Sequence, residues 1–254
     1  MSTADHAKHL NGLLRKIKPK YEAVVTPPRP ALDELLVGVL LWDASTPKAE
    51  HAFKRLKESV VDYNELRVTR PAEIVAAVGK TYPRAEERSL RLHAALTEIY
   101  KREHDVTLES LAGMSKRDAA KYVESLPGLP LFASKRLVLV CLGGHAMPVD
   151  DRMLAKLAAA GVVEAECDVA HAAGILERHV KADSTAETFA LLQAWSEDPK
   201  TDVPMPRRET KPITAMTFHP PAPPPPAPVI AKKPTPAPGK SKPVARKPAG
   251  SAKH

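Results

Sequence analysis

The chain has 254 residues and a formal net charge of +8. No apolar run approaches the roughly 18 to 20 residues that a membrane-spanning helix needs, and the opening MSTADHAKHLNGLLRKIKPK lacks the continuous apolar stretch of a secretory signal. The two cysteines, Cys141 and Cys167, are too few for a disulfide framework or a four-cysteine zinc or iron–sulfur site. A reducing, cytoplasmic setting with no metal or other cofactor is therefore expected.

Residues 1–29 read as an N-terminal segment leading into a body made of helices, because aromatic residues are sparse and apolar residues recur at helical spacing. Leu32, Leu35, Leu36, Val39 and Leu40 mark a buried helix with Pro30 near its start. Thr46 is the expected cap of the next, with Pro47 in its first turn and Ala49, Phe53, Leu56 and Val60 along one face. A third helix runs from Pro71 to Val78 and stops at Gly79, and a longer one spans about Arg84 to Glu103. Ser115 with Asp118 forms a capping box for KRDAAKYVESL.

A Pro-Gly turn, Pro127-Gly128, then separates this helix from a largely apolar one over Leu131 to Leu142. Gly128 supplies the positive φ that such a turn requires. The N-terminus of the second helix carries unsatisfied N–H groups and the positive end of the helix dipole, so it can hold a phosphate. After the loop GGHAMP, Asp150 or Asp151 caps RMLAKLAAA, which Gly161 ends. ECDVAHAAGILERHV is a further helix, and Ser184 with Glu187 caps the last, through FALLQAW. His171, Glu177 and His179 share a helix without the i, i+4 spacing of a histidine metal pair, and Cys141 reads as packing.

From about residue 199 the composition changes. Residues 205–254 hold ten of the 38 Lys/Arg but one of the 30 acids, and 14 of the 26 prolines. Such a segment cannot bury enough apolar surface to offset its ordering entropy, so residues 199–254 read as a disordered basic tail. Its unpaired positive charge suits sequence-independent attachment to DNA.

The order of motifs resembles the helix–hairpin–helix (HhH-GPD) DNA glycosylases of the endonuclease III type over residues 30 to 198. In that family a Leu-Pro-Gly-x-Gly hairpin leads into a buried helix, a short loop and a Val-Asp that opens another helix. Here these are LPGLP at 126–130, the helix after it, GGHAMP and VDDRML. LDELLVGVLLWDASTPKAEHAF, YPRAEERSLRLHAALTEIY and VTLESLAGMSKRDAAKYVESLPG stand where the family has comparable helices.

The resemblance implies an all-α, two-lobed body over 30–198 that binds double-stranded DNA in base excision repair. It places the catalytic aspartate at Asp150, where a fixed carboxylate would stabilise the positive charge that builds on a sugar as its bond to a flipped-out base breaks. Leu126, Gly128, Leu129, Leu131, Lys135 and His145 are the implied DNA-contacting positions. The sequence departs from the family in several places. The lyase lysine position holds Phe132, the second hairpin glycine is Pro130, and Asp43 or Ala44 stands where a base-gap glutamine is usual, beside Trp42. These departures point to an N-glycosylase without lyase activity or, alternatively, to a catalytically inactive DNA-binding or interaction protein. Plain N-capping is the alternative role for Asp150, and surface placement the alternative for Lys135 and His145.

Overall fold

The computed structural model describes residues 3–25, 27–201 and 203–204. These form eleven α-helices with short 3-10 turns, and no strand occurs among the described residues. The helices are α1 (Thr3–Ile17), α2 (Ala31–Leu41), α3 (Thr46–Glu58), α4 (Tyr63–Val68), α5 (Pro71–Val78), α6 (Ala85–Glu103), α7 (Lys116–Glu124), α8 (Leu131–Val140), α9 (Asp151–Ala159), α10 (Val169–His179) and α11 (Thr185–Glu197). None is long and apolar enough to cross a membrane.

The packing divides the helices into two lobes. α2 to α8 pack among themselves, whereas α9 packs on α10 and α11, and α1 packs on α10. The N-terminal segment thus belongs to the body. α1 buries His6, Leu10, Leu13 and Ile17 on one face, and His6 Nδ1 lies 2.8 Å from the Val162 carbonyl. Contacts at 3.6-residue spacing explain why this segment is a helix: its apolar stripe is covered by the second lobe.

α8 is the centre of the assembly and touches α2, α7 and α11. Its approach to α2 is close because Gly38 faces Ala133; a Cβ on Gly38 would stand 3.1 Å from the Ala133 Cβ. The same helix pair buries charge. Glu34 on α2 is fully enclosed and pairs with Arg136 of α8 at 2.6 Å and with Arg29 at 3.2 Å. Removing one partner of such a group leaves an uncompensated buried ion, a cost of roughly 3–5 kcal/mol.

The expected elements are present, with differences at their ends. α1 and the six-residue α4 are helices beyond those expected; α1 carries an apolar stripe, and α4 is too short to show one. Ser45 rather than Thr46 precedes α3, and Thr46 instead donates its hydroxyl to Glu197 Oε1 at 2.6 Å. α10 begins at Val169, where Asp168 accepts the His171 N–H at 2.7 Å. Ser184 makes no side-chain cap for α11; its hydroxyl bonds back to the Lys181 carbonyl in a 3-10 turn. The body also reaches past residue 198. Lys156, buried on α9, donates to the Asp198 carbonyl at 2.9 Å and to Thr201 Oγ1 at 2.8 Å, and Pro199–Thr201 form a 3-10 turn. The Pro/Ala/Lys-rich tail from residue 205 onward lies outside the described residues.

Candidate active site at the seam between the lobes

Asp150 opens α9. Its Oδ1 accepts the Met153 N–H at 2.7 Å, the capping bond that short polar residues make to the orphan donors of a first helical turn. Its Oδ2 accepts the backbone N–H of Asp43 at 3.1 Å and lies 3.5 Å from Arg152 Nη2. The side chain is 0% exposed. Asp150 therefore sits at the seam, fixed on one side by its own helix and on the other by the chain that leaves α2.

Asp43 reaches back across the same seam. Its Oδ1 accepts the N–H groups of Asp151 at 3.1 Å and Arg152 at 3.4 Å, so two carboxylates share one helix N-terminus. Its backbone is left-handed, φ +54, a region where Asp is tolerated better than most residues. Burial, then the neighbouring Asp150 charge, push the Asp43 carboxyl up to about 6, while Arg84 pulls it down. Burial likewise raises Asp150 above the usual carboxylate range, against the opposing pull of Arg152.

A cationic group braces this acid pair. Arg84 Nη2 lies 3.2 Å from Asp43 Oδ2 and 3.7 Å from Asp151 Oδ2. Its guanidinium lies 4.4 Å from the centre of the Trp42 ring, with Arg91 at 5.0 Å and Arg88 at 5.7 Å. Arg88 is buried, donating to the carbonyls of Val39 and Pro83 at 2.6 and 2.7 Å and to that of Trp42. Burial lowers its guanidinium to about 10. Trp42 is 9% exposed, so it serves as a packing platform for arginines rather than an open stacking surface.

The hairpin is joined to the same group. Gly128 takes φ +79, and its carbonyl accepts from Arg91 Nη1 at 2.8 Å. Leu126 is buried, and Leu129 and Leu131 are half-buried, so the leucines anchor the turn. Pro130 caps α8 in an extended conformation, φ −60 and ψ 143, and brings no N–H of its own. The donors that remain at this end are the backbone N–H groups of the first turn of α8.

Lys135 and His145 lie in a different network. Lys135 Nζ pairs with Glu177 Oε1 at 2.7 Å, the oxygen that also receives the Met147 N–H at 2.8 Å. His145 Nε2 donates to the Glu177 carbonyl at 2.7 Å, and Nδ1 meets Thr185 Oγ1 at 2.8 Å. The two residues tie the loop before Asp150 to α10 and α11. Phe132 is buried, its ring 6.3 Å from that of Phe189.

A cavity of about 470 Å³ opens between α2, α3 and α8 of one lobe and α11 of the other, with the segment around Val24 and Pro28 along its edge. Gln193 on its wall is 6% exposed; its Nε2 donates to Glu197 Oε1 at 2.5 Å, and its Oε1 has no hydrogen-bond partner among the described residues. Asp150 does not line this cavity. Arg152 stands between, 3.5 Å from Asp150 and 4.0 Å from Glu197 Oε1.

Sequence reasoning placed Asp150 at the head of a helix and a turn at Gly128, and the structure has both. It missed the braces, Arg84, Arg88 and Arg91, because the partners that join them to the site are backbone carbonyls and residues more than thirty positions away; the local signals were the density of arginine after Tyr82 and the i, i+4 pair Glu87–Arg91.

No protein-family model and no curated protein matches the sequence. Solved structures do match. A trapped endonuclease III–DNA covalent intermediate aligns with a TM-score of 0.55 at 14% identity, over 76% of this chain and 85% of that one. The Clostridium acetobutylicum 8-oxoguanine glycosylase/lyase in complex with DNA gives 0.55 at 13% identity, over 74% and 69%. The H. pylori 3-methyladenine DNA glycosylase bound to 1,N6-ethenoadenine gives 0.52 at 15%, over 77% and 95%. With the hairpin between α7 and α8 and the aspartate at the head of α9, the chain has the HhH-GPD fold of the DNA glycosylases.

Proposed function

We propose that the chain is a duplex-DNA-binding glycosylase of base excision repair that hydrolyses the N-glycosidic bond of a flipped-out base without cutting the backbone. The observation that carries this reading is the position of Asp150 at the interlobe seam. There it is set beside a second carboxylate and is raised in proton affinity. A plain helix cap gains nothing from burial next to another acid, and costly charge arrangements of this kind concentrate at functional sites. The implied chemistry is charge stabilisation and activation of water by the ionised carboxylate.

A Schiff-base route has little support. Phe132 fills the lysine position, and Lys135 is held by Glu177. The interlobe cavity suits a base in size and in its mainly apolar walls. Arg152 lies on the path from that cavity to Asp150. A DNA phosphate would compete for its guanidinium and so free the acid.

The complete enclosure of Asp150 favours a second reading, a protein that binds DNA and leaves its bases intact. One experiment separates the two. Duplexes carrying uracil, an oxidised pyrimidine, mismatched adenine or ethenoadenine are incubated with the protein, and free base is measured, together with strand breaks before and after alkali. Base release that needs alkali to reveal breaks, and that disappears in Asp150→Asn, supports the glycosylase. DNA binding with no release across the panel supports the second reading.

A further inference from the structure

We propose that Asp43 is a positioning residue for Asp150, holding the acid from the opposite lobe through a reciprocal set of carboxylate–amide hydrogen bonds. The inference rests on the glycosylase reading of Asp150. Three observations carry it. The Asp43 N–H is aimed at Asp150 Oδ2 at 3.1 Å, which leaves that oxygen one orientation. The Asp43 carboxylate takes the Asp151 and Arg152 N–H groups, so it also fixes the helix end from which Asp150 projects. The residue holds a left-handed backbone, φ +54, to do both. A strained non-glycine backbone persists only where its surroundings over-determine it.

The arrangement also couples the two acids electrically. The first-turn N–H groups of α9 are divided between them: Met153 to Asp150, Asp151 and Arg152 to Asp43. Each ionised carboxylate raises the cost of ionising the other. The groups that face the pair are Arg84 just before α6, Arg88 and Glu87 from α6, Asp151 and Arg152 from α9, and Glu197 from α11 through Arg152. With the Asp43 midpoint at about 6, raised in part by the Asp150 charge, the two carboxyls titrate as one linked pair.

The test follows the carboxyl carbons of Asp43 and Asp150 by NMR as pH is varied, in the full chain and in Asp43→Asn. Asparagine keeps the backbone N–H and an oxygen acceptor but not the charge. The wild type should show two linked steps. Asp43→Asn should show one step for Asp150, displaced to lower pH by about one unit. A second variant, Arg84→Met, should raise the upper step of the pair, and it serves if Asp43→Asn does not fold. An Asp150 midpoint that stays in place or rises in Asp43→Asn, or an upper step unmoved in Arg84→Met, overturns the proposal. Base release is then measured across pH: its acid limb should move with the Asp150 midpoint in Asp43→Asn while DNA affinity holds. A limb that stays put while the midpoint moves also overturns it. A panel showing no base release from the wild type sinks the glycosylase reading, and the titration alone then decides whether Asp43 sets Asp150.

Discussion

Arg91 donates to the carbonyl of Gly128 at 2.8 Å from 37 residues away, and the same guanidinium lies over the ring of Trp42. The turn that would face a DNA phosphate and the residue next to the acid pair thus share one side chain. Replacing Arg91 with Ala should loosen the turn. Amide exchange at Gly128 and Leu129 should accelerate, and duplex affinity should fall about five- to thirty-fold, the effect of roughly 1–2 kcal/mol for a charge-assisted hydrogen bond. Arg91→Lys should not restore either property, because an ammonium lacks the planar fork that spans both partners. Unchanged exchange at Gly128 would refute the link.

Asp150 caps α9, and under the proposed reading it also carries the charge for base release; the two roles have separable costs. Asp150→Ala removes the cap on Met153 N–H and orphans the Asp43 N–H, so urea unfolding should show a loss of about 2–4 kcal/mol. Asp150→Asn keeps an acceptor and removes a buried charge. Its stability at pH 8 should lie within about 1 kcal/mol of the wild type, while any base release is lost.

The raised Asp43 carboxyl fixes the sign of a pH effect. Its folded midpoint, about 6, lies above the ordinary value of 3.8 for the unfolded chain. The folded state therefore binds more protons between these values, and stability contributed by this group falls as pH rises through the window. Measured by urea unfolding, Asp43→Asn should gain on the wild type between pH 4 and pH 8 by up to about 3 kcal/mol. A constant difference across that range would contradict the shift.

Gly38 is where α2 and α8 come closest. Gly38→Val places atoms into Ala133, with the nearest Cβ contact at 3.1 Å and backbone atoms behind it. Overpacking of this kind should cost about 1–3 kcal/mol, read as a lower midpoint in thermal unfolding. Pairing it with Ala133→Gly should recover part of the loss, since the two sites share one contact.

The charge of residues 205–254, which lie outside the described residues, suggests a role in affinity, and that role is testable. Residues 205–254 carry ten of the basic residues and a single acid. Deleting them should flatten the plot of log affinity against log salt, by about 0.9 for each phosphate contact removed. Base release under saturating protein should be unchanged. An identical salt slope would remove the tail from DNA binding.

The helical body, the turn at Gly128 and the placement of Asp150 at a helix head were legible because each rests on local chemistry: apolar spacing, a glycine at positive φ, and a short polar side chain before a periodic run. The contacts of the site were not. Asp43 stands where a family glutamine is usual, and nothing in its neighbourhood indicates that its carboxylate bonds to residues 151 and 152. Lys135 and His145, read as DNA contacts, are held by Glu177 and Thr185, partners brought near only by the packing of α10 and α11. The helix at Thr3–Ile17 was invisible for a similar reason, since its stripe of His6, Leu10, Leu13 and Ile17 gains meaning only from what covers it.

That first helix packs on α10, and Tyr21 bonds to Asp198 at 2.8 Å, so the second lobe is assembled from both ends of the body while α2 to α8 form an uninterrupted stretch. A ribosome therefore releases everything the first lobe needs long before the second can close, and α1 must wait through most of synthesis for its partner. Arrested nascent chains ending near residue 180 should already resist protease across residues 31–140 yet remain cleavable within residues 3–17.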